Sequence, residues 1–92
     1  MVYEIRLTDK AEHDLAVMPA WLQGSVESYL RQLARSPTSE SRTVVSPPYP
    51  PGGMMAETDC GPIDGASFHV TVFFYYGRDE SSLIVSRIGC YR

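Results

Sequence analysis

The sequence predicts an α+β domain: a strand, two helices, then an antiparallel sheet of three or so strands, with both helices on one sheet face. Three observations lead there. Apolar residues alternate in "VYEIRL" and again in "SFHVTVFFYYGRDESSLIVSRIGCYR", the two-residue period of strands. Between them, "PAWLQGSVESYLRQLARS" spaces apolar residues by three and four, the period of a helix. At 92 residues the chain has room for one core, so residues 1–92 are read as a single domain.

In chain order, Tyr3, Ile5 and Leu7 mark one face of the first strand. Thr8 or Asp9 can cap the helix that follows, and Asp9 with Glu12 has capping-box spacing. Ala11, Leu15 and Met18 form the apolar side of this short helix. Pro19 fits the start of the next one. Leu22, Val26, Tyr29, Leu30 and Leu33 stripe that second helix, and Ser36-Pro37 ends it. Trp21 is read as core.

Residues 37–53 hold five of the seven prolines and read as a stiff surface loop, with "TVV" as a brief edge strand. "MMAETDC" reads as a strand and "GPIDGAS" as a turn region. In the last hairpin, Phe68, Val70, Val72, Phe74 and Tyr76 share one face, and Ser67, His69, Thr71, Phe73 and Tyr75 the other. "GRDE" is its turn. One sheet face is buried and the other is left to carry function.

Composition narrows the function classes. No apolar run approaches the roughly 20 residues of a membrane span, and "MVYEIRLTDK" lacks a basic stretch ahead of an apolar one. A cytoplasmic protein without membrane contact is expected. Cys60, Cys90, His13 and His69 lack the paired spacing of metal ligands, so neither metal nor cofactor is expected. The net charge is −3 and the pI about 5.2. Phosphate backbones repel such a domain on average, and no two of its basic residues are adjacent.

Three stretches, "YEIRLTDKAEHDLAVMP", "VESYLRQLARSP" and "SFHVTVFFYYGRDESSLIVSRIG", resemble the RelE/ParE superfamily of bacterial toxins from type II toxin–antitoxin modules. The likeness spans nearly the whole chain and implies a toxin neutralised by a cognate antitoxin. The RelE-like branch cleaves mRNA in the ribosomal A site without a metal, the RNA 2′-hydroxyl attacking the neighbouring phosphate. The ParE-like branch binds DNA gyrase instead.

Carried over residue by residue, the resemblance marks His69, Glu57, Arg87, Tyr91 and Arg92 as the candidate catalytic set. His69 suits general acid or base chemistry, and Glu57 can take the base role instead. The plain alternative for His69 is a histidine on the solvent face of a strand. Arg87 and Arg92 can clamp phosphate, or can form a solvated pair at a strand end. Arg87 and Tyr91 share parity, and hairpin register decides whether their face is also that of His69. The aromatics Phe73, Tyr75 and Tyr76 can stack on bases, or can pack in the core and under a partner protein or second copy.

The sequence departs from the family where a basic strand is expected, since Glu57 and Asp59 stand there. Phosphate cleavage builds negative charge that cations stabilise. One misplaced carboxylate at ~4 Å, with an effective dielectric near 20, opposes it by about 4 kcal/mol. A weakened ribonuclease, a gyrase inhibitor and a non-catalytic binding domain of the same fold all fit these residues.

Overall fold

The computed structural model describes residues 2–37, 41–43 and 53–91. Strand β1 (Glu4–Leu7) leads into helix α1 (Asp9–Ala16) and helix α2 (Ala20–Arg35). Strands β2 (Ser41–Thr43), β3 (Met54–Ile63), β4 (Ala66–Tyr76) and β5 (Ser82–Tyr91) follow. All five strands form one sheet, ordered β1-β5-β4-β3-β2. Strands β2 to β5 pair antiparallel, and β1 joins the far side of β5 in parallel. The sheet is thus mixed and larger than the pattern of the last hairpin alone suggests. Of the expected "TVV" edge strand, Thr43 ends β2, while residues 44 and 45 lie outside the described residues.

Thr8 is the cap of α1: its hydroxyl accepts from the Ala11 N–H at 3.2 Å, satisfying a donor the helix itself leaves unpaired. Pro19 stands at the N-cap of α2. Both helices place their apolar stripes in one cluster. Ala11, Met18, Leu22, Val26, Tyr29, Leu30 and Leu33 pack with Ala56, Cys60, Val70, Val72, Phe74, Leu83, Val85 and Ile88. Each large side chain so buried contributes roughly 1.5–3 kcal/mol. Trp21 is partly buried against this core, its ring 5.8 Å from that of Phe68.

Two one-residue register shifts shape the sheet. The β3–β4 hairpin closes on Asp64 and Gly65, both at positive φ, the backbone that an Asp-Gly turn favours. Ile63 pairs with Ala66, yet Cys60 pairs with Phe68, so β3 carries an extra residue at Gly61-Pro62. Gly61 sits at φ +103°, and a Cβ there would lie 2.8 Å from the Ala66 carbonyl oxygen; only glycine fits this bulge. Proline is tolerated there for the same reason.

The second shift lies in β5. Phe74 pairs with Val85 and Phe73 with Arg87, leaving Ser86 as the extra residue. Strict alternation would put Leu83, Val85, Arg87 and Tyr91 on one face. With Ser86 bulged, Leu83 and Val85 point into the core at 0% exposure, while Arg87 and Tyr91 pair across the outer-face positions Phe73 and His69. Side chains stitch the bulge in place. The Ser86 hydroxyl donates to the Phe73 carbonyl at 3.2 Å, and the Thr8 hydroxyl donates to the Ser86 carbonyl at 3.0 Å.

Ser86→Ala keeps the bulge and removes one hydrogen bond, so a loss of about 1 kcal/mol is expected, seen as a fall of roughly 4–8 °C in thermal melting for a domain this size. Deleting Ser86 forces the core residues or the outer-face residues to the wrong side. The deletion variant is expected to show no cooperative melt.

Candidate functional site

The outer face of the sheet, opposite the helices, is built in rows from β3, β4 and β5. Met55, Phe73 and Arg87 form one row; Glu57, Thr71 and Gly89 the next; Asp59, His69 and Tyr91 the third. The middle row carries Glu57 on β3 and small residues on β4 and β5. Thr71 is buried, and a Cβ built on Gly89 would meet nothing within 4 Å. Gly89 leaves open space in this row, with Phe73 and Arg87 in the row on one side and His69 and Tyr91 in the row on the other.

His69 is the centre of the third row. Its Nδ1 lies 2.9 Å from Asp59 Oδ1, and its Nε2 lies 3.7 Å from Glu57 Oε2. The Tyr91 ring leans over it, 5.2 Å between centroids at 54°. Both carboxylate contacts become ion pairs when the ring is protonated. The imidazole is partly shielded, with 29% of its side chain exposed, whereas Asp59 is 85% exposed. Glu57 is also anchored from behind, since the buried Tyr29 of α2 donates its hydroxyl to the Glu57 carbonyl at 3.0 Å.

Arg87 is held elsewhere. Beyond Leu7 the edge of β5 has no strand neighbour among the described residues, and Asp14 of α1 takes that place. The Asp14 carboxylate accepts from Arg87 Nε at 2.8 Å, from a terminal Arg87 nitrogen at 3.2 Å and from the Ile88 N–H at 3.0 Å. Burial alone would raise the Asp14 pKa, but the Arg87 guanidinium and the Ile88 N–H together outweigh it and hold the carboxyl below its ordinary value.

Of the five residues the sequence marks, Glu57, His69 and Tyr91 come together on one face. Arg87 shares that face by register and is tied to Asp14. Arg92 lies outside the described residues. Asp59, the partner of His69, and Asp14, the holder of Arg87, are not among the residues the sequence marks. Asp59 was visible only as a charge of the wrong sign for a phosphate site. Asp14 stands 73 residues from Arg87 in the chain, and no local pattern links the two.

No known family profile matches the chain, and no curated protein matches it in sequence. Solved structures do. The toxin–antitoxin complex RelBE2 from Mycobacterium tuberculosis contains a chain that superposes with a TM-score of 0.78, covering 99% of this chain and 100% of that one at 16% identity. A mutant of the E. coli toxin RelE in the free state superposes with a TM-score of 0.66 at 10% identity, covering 97% of this chain and 83% of that one. The chain has the fold of RelE toxins. At these identities the likeness is one of fold, and the RelE-like frame accounts for the helices behind the sheet and the open face before it. Among the described residues no helix is long and apolar enough to cross a membrane.

The Asp14 fork gives a signed pH dependence. A carboxyl with a depressed folded-state pKa contributes stability above its ordinary value near 3.9, and that stability is lost as pH falls below it. Asp14→Ala is expected to lower stability at neutral pH by roughly 1–3 kcal/mol, because it removes the acceptor of the part-buried Ile88 N–H and the Asp14 contact of Arg87. The gap between variant and wild type should narrow in denaturant titrations as pH is lowered from 5 to 3.

Proposed function

We propose that the chain is the toxin of a type II toxin–antitoxin pair and acts as a RelE-like endoribonuclease on ribosome-bound mRNA. The observation that carries the reading is the Glu57–His69–Tyr91 cluster on the open face of a RelE-type sheet. Its reacting groups are a carboxylate and an imidazole side by side, the minimum that RNA transesterification needs for proton transfer. Glu57 takes the proton of the 2′-hydroxyl, whose oxygen attacks the adjacent phosphorus. The bond from phosphorus to the 5′-oxygen breaks, and the His69 imidazolium donates its Nε2 proton to that leaving oxygen. The products are a 2′,3′-cyclic phosphate and a free 5′-hydroxyl, with every proton accounted for.

Tyr91 packs the imidazole and offers a phenol at the rim. The open space at Gly89 supplies room for the scissile segment, and Phe73 offers an apolar ring for a base to rest on. Arg87 adds positive charge to the same face while fastened to Asp14. The protein partner on this reading is a cognate antitoxin that neutralises the toxin, and the setting is the cytoplasm, where ribosomes are.

Induced expression in a bacterial host should arrest growth and leave mRNA cut in the ribosomal A site, mapped by primer extension. His69→Ala and Glu57→Gln should each reduce cleavage by about 100-fold or more and restore growth. Arrest with intact mRNA would point to a gyrase inhibitor and overturn the ribonuclease reading. Gly89→Val is a separate check. Its side chain enters open space, so melting should stay close to wild type while cleavage falls, because the valine occupies the space that the RNA needs.

A further inference from the structure

We infer that Asp59 is a positioning residue for His69: it holds the Nδ1 proton and thereby fixes Nε2 as the nitrogen that exchanges a proton beside Glu57. The geometry stands by itself, and its consequence for catalysis rests on the ribonuclease reading above.

Asp59 and His69 are directly opposite each other on β3 and β4. The 2.9 Å contact joins Asp59 Oδ1 to His69 Nδ1. An ionised carboxylate can only accept, so a neutral His69 in this contact carries its proton on Nδ1. Nε2 is then left with its lone pair, 3.7 Å from Glu57 Oε2. Glu57 and Asp59 are two residues apart on one strand, so both project to the open face, and each addresses a different ring nitrogen. Tyr91, opposite His69 on β5, packs against the ring from the other side. Turning the ring over would set carbon against both carboxylates. The ring is therefore oriented by one acidic residue and presented to the other.

In the proposed step the imidazolium gives up its Nε2 proton to the leaving oxygen. The neutral ring that results keeps its proton on Nδ1, donated to the Asp59 carboxylate, which is the arrangement the 2.9 Å contact implies. No reorganisation of the ring is then needed during the reaction, and this lowers the barrier. The same logic makes Asp59 more than a misplaced charge: paired with the imidazolium it forms a neutral unit, and only the Glu57 charge faces the phosphate until it takes up its proton.

Long-range proton–nitrogen NMR correlations on the 15N-labelled protein, at a pH where His69 is neutral, report the tautomer directly. His69 is expected to be held as the Nδ1–H form, while His13, exposed on α1, serves as the unconstrained comparison. In Asp59→Asn the side-chain amide can donate to Nδ1, so the His69 signals should move toward the Nε2–H form with no change in melting temperature. Single-turnover cleavage of mRNA on programmed ribosomes should slow roughly tenfold in that variant. A wild-type His69 with the tautomer mixture of His13, or an Asp59→Asn spectrum identical to wild type, overturns the positioning role. A tautomer that moves while the cleavage rate stays unchanged overturns its catalytic consequence. A fixed tautomer in a wild-type protein that does not cleave upholds the positioning and defeats the ribonuclease reading instead.

Discussion

Strand register decides which side chains this sheet buries and which it presents. The chain must bury Leu83 and Val85 and also present Arg87 and Tyr91, and these four residues have the same parity. A regular strand cannot do both, because a slip of one residue exchanges its faces. One extra residue at Ser86 resolves the conflict. The matching irregularity at Gly61-Pro62 sets β3 so that Asp59, and not Cys60, stands opposite His69. Two local bulges thus turn an ordinary meander into a face where Glu57, Asp59, His69 and Tyr91 meet. Bulges next to functional sites commonly serve to re-aim side chains in this way.

The electrostatics of that face follow from the same placement. A phosphate site lined by carboxylates would be unfavourable, and the sequence alone makes Glu57 and Asp59 look like a defect. Geometry changes the sign of the argument. Both acids contact the imidazole, so a protonated His69 brings its own cation to the site and matches one of the two charges. Arg87 contributes more weakly, since its guanidinium is matched by Asp14. On the proposed reading the site relies on proton transfer more than on a cluster of fixed cations.

Much of the fold was legible in the sequence because periodicity is local. The stripe Leu22, Val26, Tyr29, Leu30, Leu33 announces α2, and the alternation of Phe68 to Tyr76 announces β4 and its inner face. The Asp-Gly turn and the turn after Tyr76 are equally plain. What stayed hidden is what depends on distant pairing. Nothing in "LIVSRIG" distinguishes Ser86 as a bulge, so the face of Arg87 and Tyr91 could be stated only as a condition. A two-residue turn at Asp64-Gly65, extended without irregularity, would set Cys60 against His69, and so the role of Asp59 went unread. The parallel docking of β1 on β5, and Asp14 filling the edge beyond it, join the two ends of the chain. Of the five marked residues, Glu57 and His69 are neighbours across β3 and β4, and Tyr91 joins them because the extra residue at Ser86 turns it to their face.

On the proposed reading this open face performs RNA transesterification through Glu57 and His69. The most direct measurement is end-group analysis of mRNA after incubation of the purified, cooperatively melting protein with programmed ribosomes. The expected fragments end in a 2′,3′-cyclic phosphate and begin with a 5′-hydroxyl, cut within the A-site codon. Intact mRNA at protein concentrations equal to the ribosomes, or fragments carrying 5′-phosphates, would contradict it.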